Sequence, residues 1–160
     1  MNLSVLIDTR EQMPLTFRGF ATQRATLGTG DYSCIADGID LSDVVAIERK
    51  SVSDLLGCVG HSRQRFEREL ARLAAFRFRA LVIEGSLSQV AAGTRYSQLT
   101  ERQVLGSVLA WTFKYGVAPI FAGDRHSAAM VTATLLAHAA RYAQSGPSNV
   151  AAASGDNISA

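Results

Sequence analysis

The sequence predicts an α/β fold: a central mixed β-sheet flanked by α-helices. Three observations predict it. Short β-branched or leucine-rich runs alternate along the chain with longer segments of helical period. The dipeptide Asp37-Gly38 lies between two of the apolar runs, which is a hairpin signal and therefore an antiparallel pairing. After it come helix–strand units, which with the hairpin give a mixed sheet flanked by helices.

The elements follow in order. Leu3 to Asp8 is an apolar run and a strand, and residues 9–25, with Pro14 and Gly19, are expected as loop. The Gly28-Thr29-Gly30 turn leads into a strand over Asp31 to Ala36, and after Asp37-Gly38 the chain returns as a strand over Val44 to Lys50. Ser51-x-x-Asp54 opens a helix to about Cys58 as a variant capping box. Residues 62–77 form an amphipathic helix with Phe66, Leu70 and Leu73 as its core stripe. Ala80 to Glu84 is a short buried strand. Thr100-x-x-Gln103 is a capping box for a helix to about Tyr115, with Trp111 and Phe113 expected in the core. Val117 to Phe121 is a last strand, and Asp124 caps a final helix to about Tyr142 with Val131, Leu135, Ala139 and Tyr142 on one face.

Composition narrows the function classes. The chain has 160 residues, of which 48% are hydrophobic and 19% charged, enough for one folded domain. That domain is expected over residues 1–143, and residues 144–160, without periodicity, are expected as a disordered tail. Two cysteines, Cys34 and Cys58, cannot build a disulfide framework or a four-sulfur metal site, and they fit an intracellular chain, in cytoplasm or nucleoid. No apolar run approaches a membrane span, so no membrane partner is expected. The net charge is only +2, but six arginines between Arg63 and Arg79 face only Glu67 and Glu69, a local excess that suits a polyanion.

The chemistry concentrates in Gly30-Asp31-Tyr32 and Ile47-Glu48-Arg49-Lys50. Side chains alternate along a strand, so Glu48 and Lys50 share one face while Ile47 and Arg49 share the other. Asp31 lies on the neighbouring expected strand. Two carboxylates converging beside a lysine suit a hard divalent cation and phosphodiester hydrolysis. An acidic cluster, Asp8-Thr9-Arg10-Glu11, ends the first strand. In the 62–77 helix Arg65, Arg68 and Arg72 fall within about 60° of one another, opposite the core stripe. They can follow a phosphate backbone or form a solvated polar face. His61 lies close enough to touch the same backbone.

These residues carry a resemblance. Asp8-Thr9-Arg10-Glu11, Gly30-Asp31-Tyr32 and Glu48-Arg49-Lys50-Ser51-Val52-Ser53-Asp54 resemble, in order, the motifs of the XPF-type family of structure-specific DNA endonucleases. Arg65, Glu69 and Arg72-Leu73, the strand ending Glu84-Gly85, Tyr115-Gly116-Val117 and Ala122-Gly123-Asp124 extend it over residues 4–140. The resemblance implies a restriction-endonuclease-like fold and a Mg²⁺- or Mn²⁺-dependent nuclease acting on branched or flapped DNA in repair, recombination or replication. It implies Asp31 and Glu48 as metal ligands and Lys50 as the catalytic lysine, with Asp8, Glu11 and Arg49 in support. Arg49 is alternatively a buried ion-pair partner. Asp54 is expected either behind the site, near Arg49 or Lys50, or as a helix N-terminal charge. Arg10, Arg65, Arg68, Arg72 and His61 are the candidate DNA contacts.

Two departures accompany it. Glu69 stands where the family has glutamine. The family also carries a tandem helix-hairpin-helix module that the 17-residue tail is too short to supply. A homodimer or a partner supplying that duplex-binding function is therefore expected. The alternative to an enzyme is a non-catalytic DNA-binding scaffold on the same fold, which should have lost these carboxylates or the lysine.

Overall fold

The computed structural model describes residues 1–145. Apart from Gln144 and Ser145, the expected tail lies outside the described residues. The strands are β1 (Leu3–Asp8), β2 (Ala21–Ala25), β3 (Tyr32–Ala36), β4 (Ile39–Asp40), β5 (Val45–Ser51), β6 (Phe78–Glu84) and β7 (Pro119–Phe121). The helices are α1 (Val52–Val59), α2 (Arg63–Leu73), α3 (Leu87–Gly93), α4 (Glu101–Tyr115) and α5 (Arg125–Gln144), with one 3-10 turn at Thr94–Tyr96.

The sheet runs β2-β1-β3-β5-β6-β7, and β4 pairs with β3. β3 is antiparallel to β1 and β5, whereas β2 is parallel to β1 and β5, β6 and β7 are mutually parallel. Alternation along β5 and β6 divides the core in two. Val45, Ile47 and Val82 pack with Val5, Tyr32 and Cys34 against Ala133, Leu136 and Ala140 of α5. Ala46, Leu81 and Ile83 pack on the other face against Leu55 of α1, Phe66 and Leu70 of α2, and Val108 and Trp111 of α4. Cys34 and Cys58 are both free and buried.

Several expectations change. Residues 9–25 are not all loop: Ala21–Ala25 is an edge strand whose register with β1 is set by backbone pairing, while most of its side chains stay exposed. The hairpin turn does form, with Asp37 and Gly38 both at positive φ, but the two-residue β4 is the returning strand. β5 meets β3 only at Tyr32 and Ile47. The helix expected to reach residue 77 stops at Leu73 because the chain must turn back into β6, where the Phe78 N–H donates to Val44 O. Phe113 is 92% exposed rather than in the core. The buried line of α4 is Val104, Val108 and Trp111, and Phe113 lies about 200° round the helix from Trp111.

A candidate active site on the β3–β5 seam

Gly30 sets the position of Asp31. It lies at φ +79°, and a Cβ there would sit 3.0 Å from Ile47 O, so only glycine allows this close approach to β5. The Asp31 N–H then donates to Ile47 O at 2.8 Å, and Asp31 Oδ2 accepts the Arg49 N–H at 2.8 Å. Asp31 is thereby fixed beside Glu48, although the ladder between β3 and β5 is short. Lys50 Nζ lies 2.6 Å from Glu48 Oε1 and 5.0 Å from the centre of the Phe66 ring.

Glu48 and Lys50 share the α2 side of the sheet. Glu69 from α2 approaches Lys50 Nζ at 3.8 Å, so the charge that departs from the family pattern is paired. A cavity of about 240 Å³ is lined by Asp8, Arg10, Gly28, Thr29, Gly30, Asp31, Glu48, Lys50, Glu69 and Arg72. Arg49 points to the opposite side. Its guanidinium bonds Glu84 at the end of β6 and lies 3.5 Å from Glu11. Arg125 of α5 joins Glu84 at 3.5 Å and donates to the carbonyls of Met13 and Pro14.

The electrostatics follow from burial. Burial, and then the charge of Glu48, push the Asp31 carboxyl up to about 7 against the partial relief of the Arg49 N–H. Burial also raises Glu48, which is 8% exposed, although Lys50 pulls the other way. Burial disfavours the Lys50 ammonium, but Glu48 overrides it and holds the lysine charged. Asp8 differs. It is 1% exposed, yet hydrogen bonds from Arg10 and the Leu27 N–H outweigh desolvation and hold it below the usual carboxylate range. Asp31 and Glu48 thus form an under-compensated carboxylate pair in a polar cavity. Their donor chemistry fits Mg²⁺ or Mn²⁺, which take one or two carboxylates and fill the remaining shell with water and phosphate oxygen. Among the described residues, no group of three or more histidine, cysteine, aspartate or glutamate side chains is placed to hold a metal ion.

The structure brings together Asp31, Glu48, Lys50, Asp8, Arg10 and Arg72, with Glu11 and Arg49 in the adjoining network. Arg10 is tied to Asp8 and to Leu27 O. Arg65, Arg68 and His61 are exposed and line a different depression, with Gly60 and Arg63. Asp54 is exposed, and its carboxylate accepts from the hydroxyl of Ser51, the α1 N-cap, rather than reaching Arg49 or Lys50. Sequence reasoning did not foresee the Lys50–Glu69 pair or Arg125. The opposite charges of Lys50 and Glu69 were visible, but their approach depends on how α2 crosses the sheet. Arg125 follows Ala122-Gly123-Asp124 and carries no sign of its own of the carbonyls and carboxylate it reaches.

A family model for the ERCC4 domain matches residues 7–135. Among solved structures, XPF from Aeropyrum pernix matches with a TM-score of 0.68 and 24% identity, covering 86% of this chain and 65% of that one. XPF from Aeropyrum pernix in complex with DNA matches with a TM-score of 0.68 and 23% identity, covering 87% and 66% respectively. The chain thus spans just under two thirds of these structures, and the likeness shows the restriction-endonuclease-like fold of the XPF nuclease domain. No curated protein matches the chain.

Proposed function

The chain belongs to the ERCC4 domain family, and from that premise we propose that it is a divalent-metal-dependent DNA endonuclease that hydrolyses phosphodiester bonds at branched or flapped DNA. The single observation that carries the reading is the convergence of Asp31, Glu48 and the charged Lys50 in one polar cavity. The DNA bound in the related XPF structure supports DNA as the partner.

Asp31 and Glu48 would hold the cation, Mg²⁺ or Mn²⁺. Bound there, it supplies Lewis acidity, neutralising phosphate charge and acidifying water. Lys50, kept as an ammonium, stabilises the charge that grows on the phosphate in the transition state. Its ion pair with Glu48 orients it, and the Phe66 ring beneath limits its freedom. Arg72 and Arg10 at the cavity wall meet the flanking phosphates. Arg49 acts through position: its backbone N–H holds Asp31 while its guanidinium anchors Glu11 and Glu84. A homodimer or a partner protein supplies the grip on duplex, and the pathway is repair, recombination or replication.

The test uses end-labelled forked, flapped, nicked and linear duplexes with Mg²⁺, Mn²⁺ or chelator. Cutting near the junction is expected with either metal and not with chelator. Glu48→Gln should lower the rate by at least a hundredfold and leave DNA affinity within about threefold. Cutting by Glu48→Gln at the wild-type rate overturns the site assignment.

A further inference from the structure

A second concave surface lies beside the arginine stripe. Val52, Leu56 and Leu99 floor a cavity of about 760 Å³ between α1 and the α3–α4 connection. Its wall carries Tyr96, which is 94% exposed on the 3-10 turn and so leaves an aromatic face uncovered. Gly60 and His61 belong both to this cavity and to the depression lined by Arg65 and Arg68. They adjoin at those two residues as a channel in two parts, and among the described residues no carboxylate lines either part. Arg63 is committed to Glu67 at 3.0 Å, whereas Arg65 and Arg68 form no ion pair among the described residues. Arg68 stands one helical turn from Arg72, which lines the catalytic cavity.

We propose that this channel receives the unpaired strand of a DNA substrate, with Arg65 and Arg68 on its phosphates and a nucleobase stacked on Tyr96 within the apolar cleft. Positive charge followed by an apolar slot with an exposed aromatic matches a single strand, whose bases are free to present their faces. A duplex buries those faces in its own stack and offers only base edges and phosphate. The inference deepens the nuclease reading by placing the unpaired arm, and rests on that reading for where the arm leads. Binding in the channel needs no cutting.

The test measures fluorescence anisotropy of a labelled single-stranded oligonucleotide and of a duplex of the same sequence. It uses the full chain carrying Glu48→Gln, in chelator. Tyr96→Ala is expected to lower the ratio of single-strand to duplex affinity about tenfold. Tyr96→Phe should restore it, because the ring supplies the stacking surface. Tyr142→Ala, which removes a half-exposed ring on α5, should not move the ratio. Photocrosslinking with 5-iododeoxyuridine in the oligonucleotide should label the tryptic peptide that starts at Tyr96. An unchanged ratio with Tyr96→Ala, or labelling only elsewhere, overturns the proposal, even where the wild type cuts in a metal-dependent way and the nuclease reading holds. A lowered ratio in a chain whose wild type does not cut leaves the channel standing and removes the nuclease reading.

Discussion

Burial and the neighbouring charge of Glu48 hold the Asp31 carboxyl up to about 7, whereas the unfolded chain ionises it near 3.8. Folding and the ionisation of Asp31 therefore oppose each other. Below about pH 4 the group is protonated in both states and its contribution to stability is whole. As the pH rises to 7 the unfolded chain gains from ionising Asp31 and the folded chain resists, so that contribution is lost. In chelator, Asp31→Asn should therefore melt a few degrees above the wild type at pH 8, and the gap should close towards pH 4. A saturating divalent cation should raise the wild type and not the variant, and the variant should not cut DNA. Melting curves across pH, with and without metal, check this. A gap that does not widen with pH would mean that Asp31 carries no burial penalty. Gly30→Ala tests the same aspartate through its backbone. The added Cβ would meet Ile47 O at 3.0 Å at a positive φ, so Asp31 must shift and cutting should fall at least tenfold.

At the scale of the element, what the sequence showed depended on whether the deciding interactions were local. Phe66, Leu70 and Leu73 at helical spacing gave the buried face of α2, and the strand period gave the opposite facing of Lys50 and Arg49. β2 carried no such signal, because its place is fixed by pairing with β1 and its side chains contribute little burial. α3 did carry one, the Ser86–Gln89 capping box, but seven residues are too few for periodicity to speak. Glu67 was illegible for another reason. It sits on a polar face among arginines, yet its carboxylate accepts from Trp111 Nε1, Lys114 Nζ and the Tyr115 hydroxyl, all on α4. Lys114 first, then Tyr115 and Trp111, hold it at about 2 against desolvation. Its stabilising contribution is therefore present above about 4.5 and is lost as the pH falls through about 2. Glu67→Ala leaves a buried indole N–H without an acceptor, at a cost of about 1 kcal/mol or more. It should lower the melting temperature at pH 7 by several degrees and speed hydrogen exchange in α2 and α4 before the sheet. Uniform exchange across the molecule would show that Glu67 does not couple the two helices.

The whole molecule is two helical layers on one sheet, and the site is where the two faces are cross-linked. Glu48 and Lys50 face α2, Arg49 faces α5, and Asp31 binds the backbone of the strand that carries all three. On the α2 side Glu48 and Lys50 lie two apart on one strand, so their shared face was readable, whereas the approach of Glu69 was not. The α5 side joins Glu11, Arg49, Glu84 and Arg125 from four separate segments, and only the fold assembles them. Arg125 is the link with most reach. From the first turn of α5 it donates to Pro14 O at 2.6 Å and Met13 O at 2.8 Å and contacts Glu84, tying the loop after β1 to the last helix. Arg125→Ala removes these charge-assisted bonds from a partly exposed site, which should cost about 1–2 kcal/mol. If the network also sets the geometry of Asp31 through Arg49, the loss should reach the chemistry. The cutting rate at saturating DNA should then fall about tenfold while DNA affinity holds, and Arg125→Lys should recover part of the rate by keeping one donor to the loop. A lower melting temperature with an unchanged cutting rate would confine Arg125 to holding the α5 layer in place, leaving Asp31 positioned by its own backbone bond to Ile47 and by the Arg49 N–H.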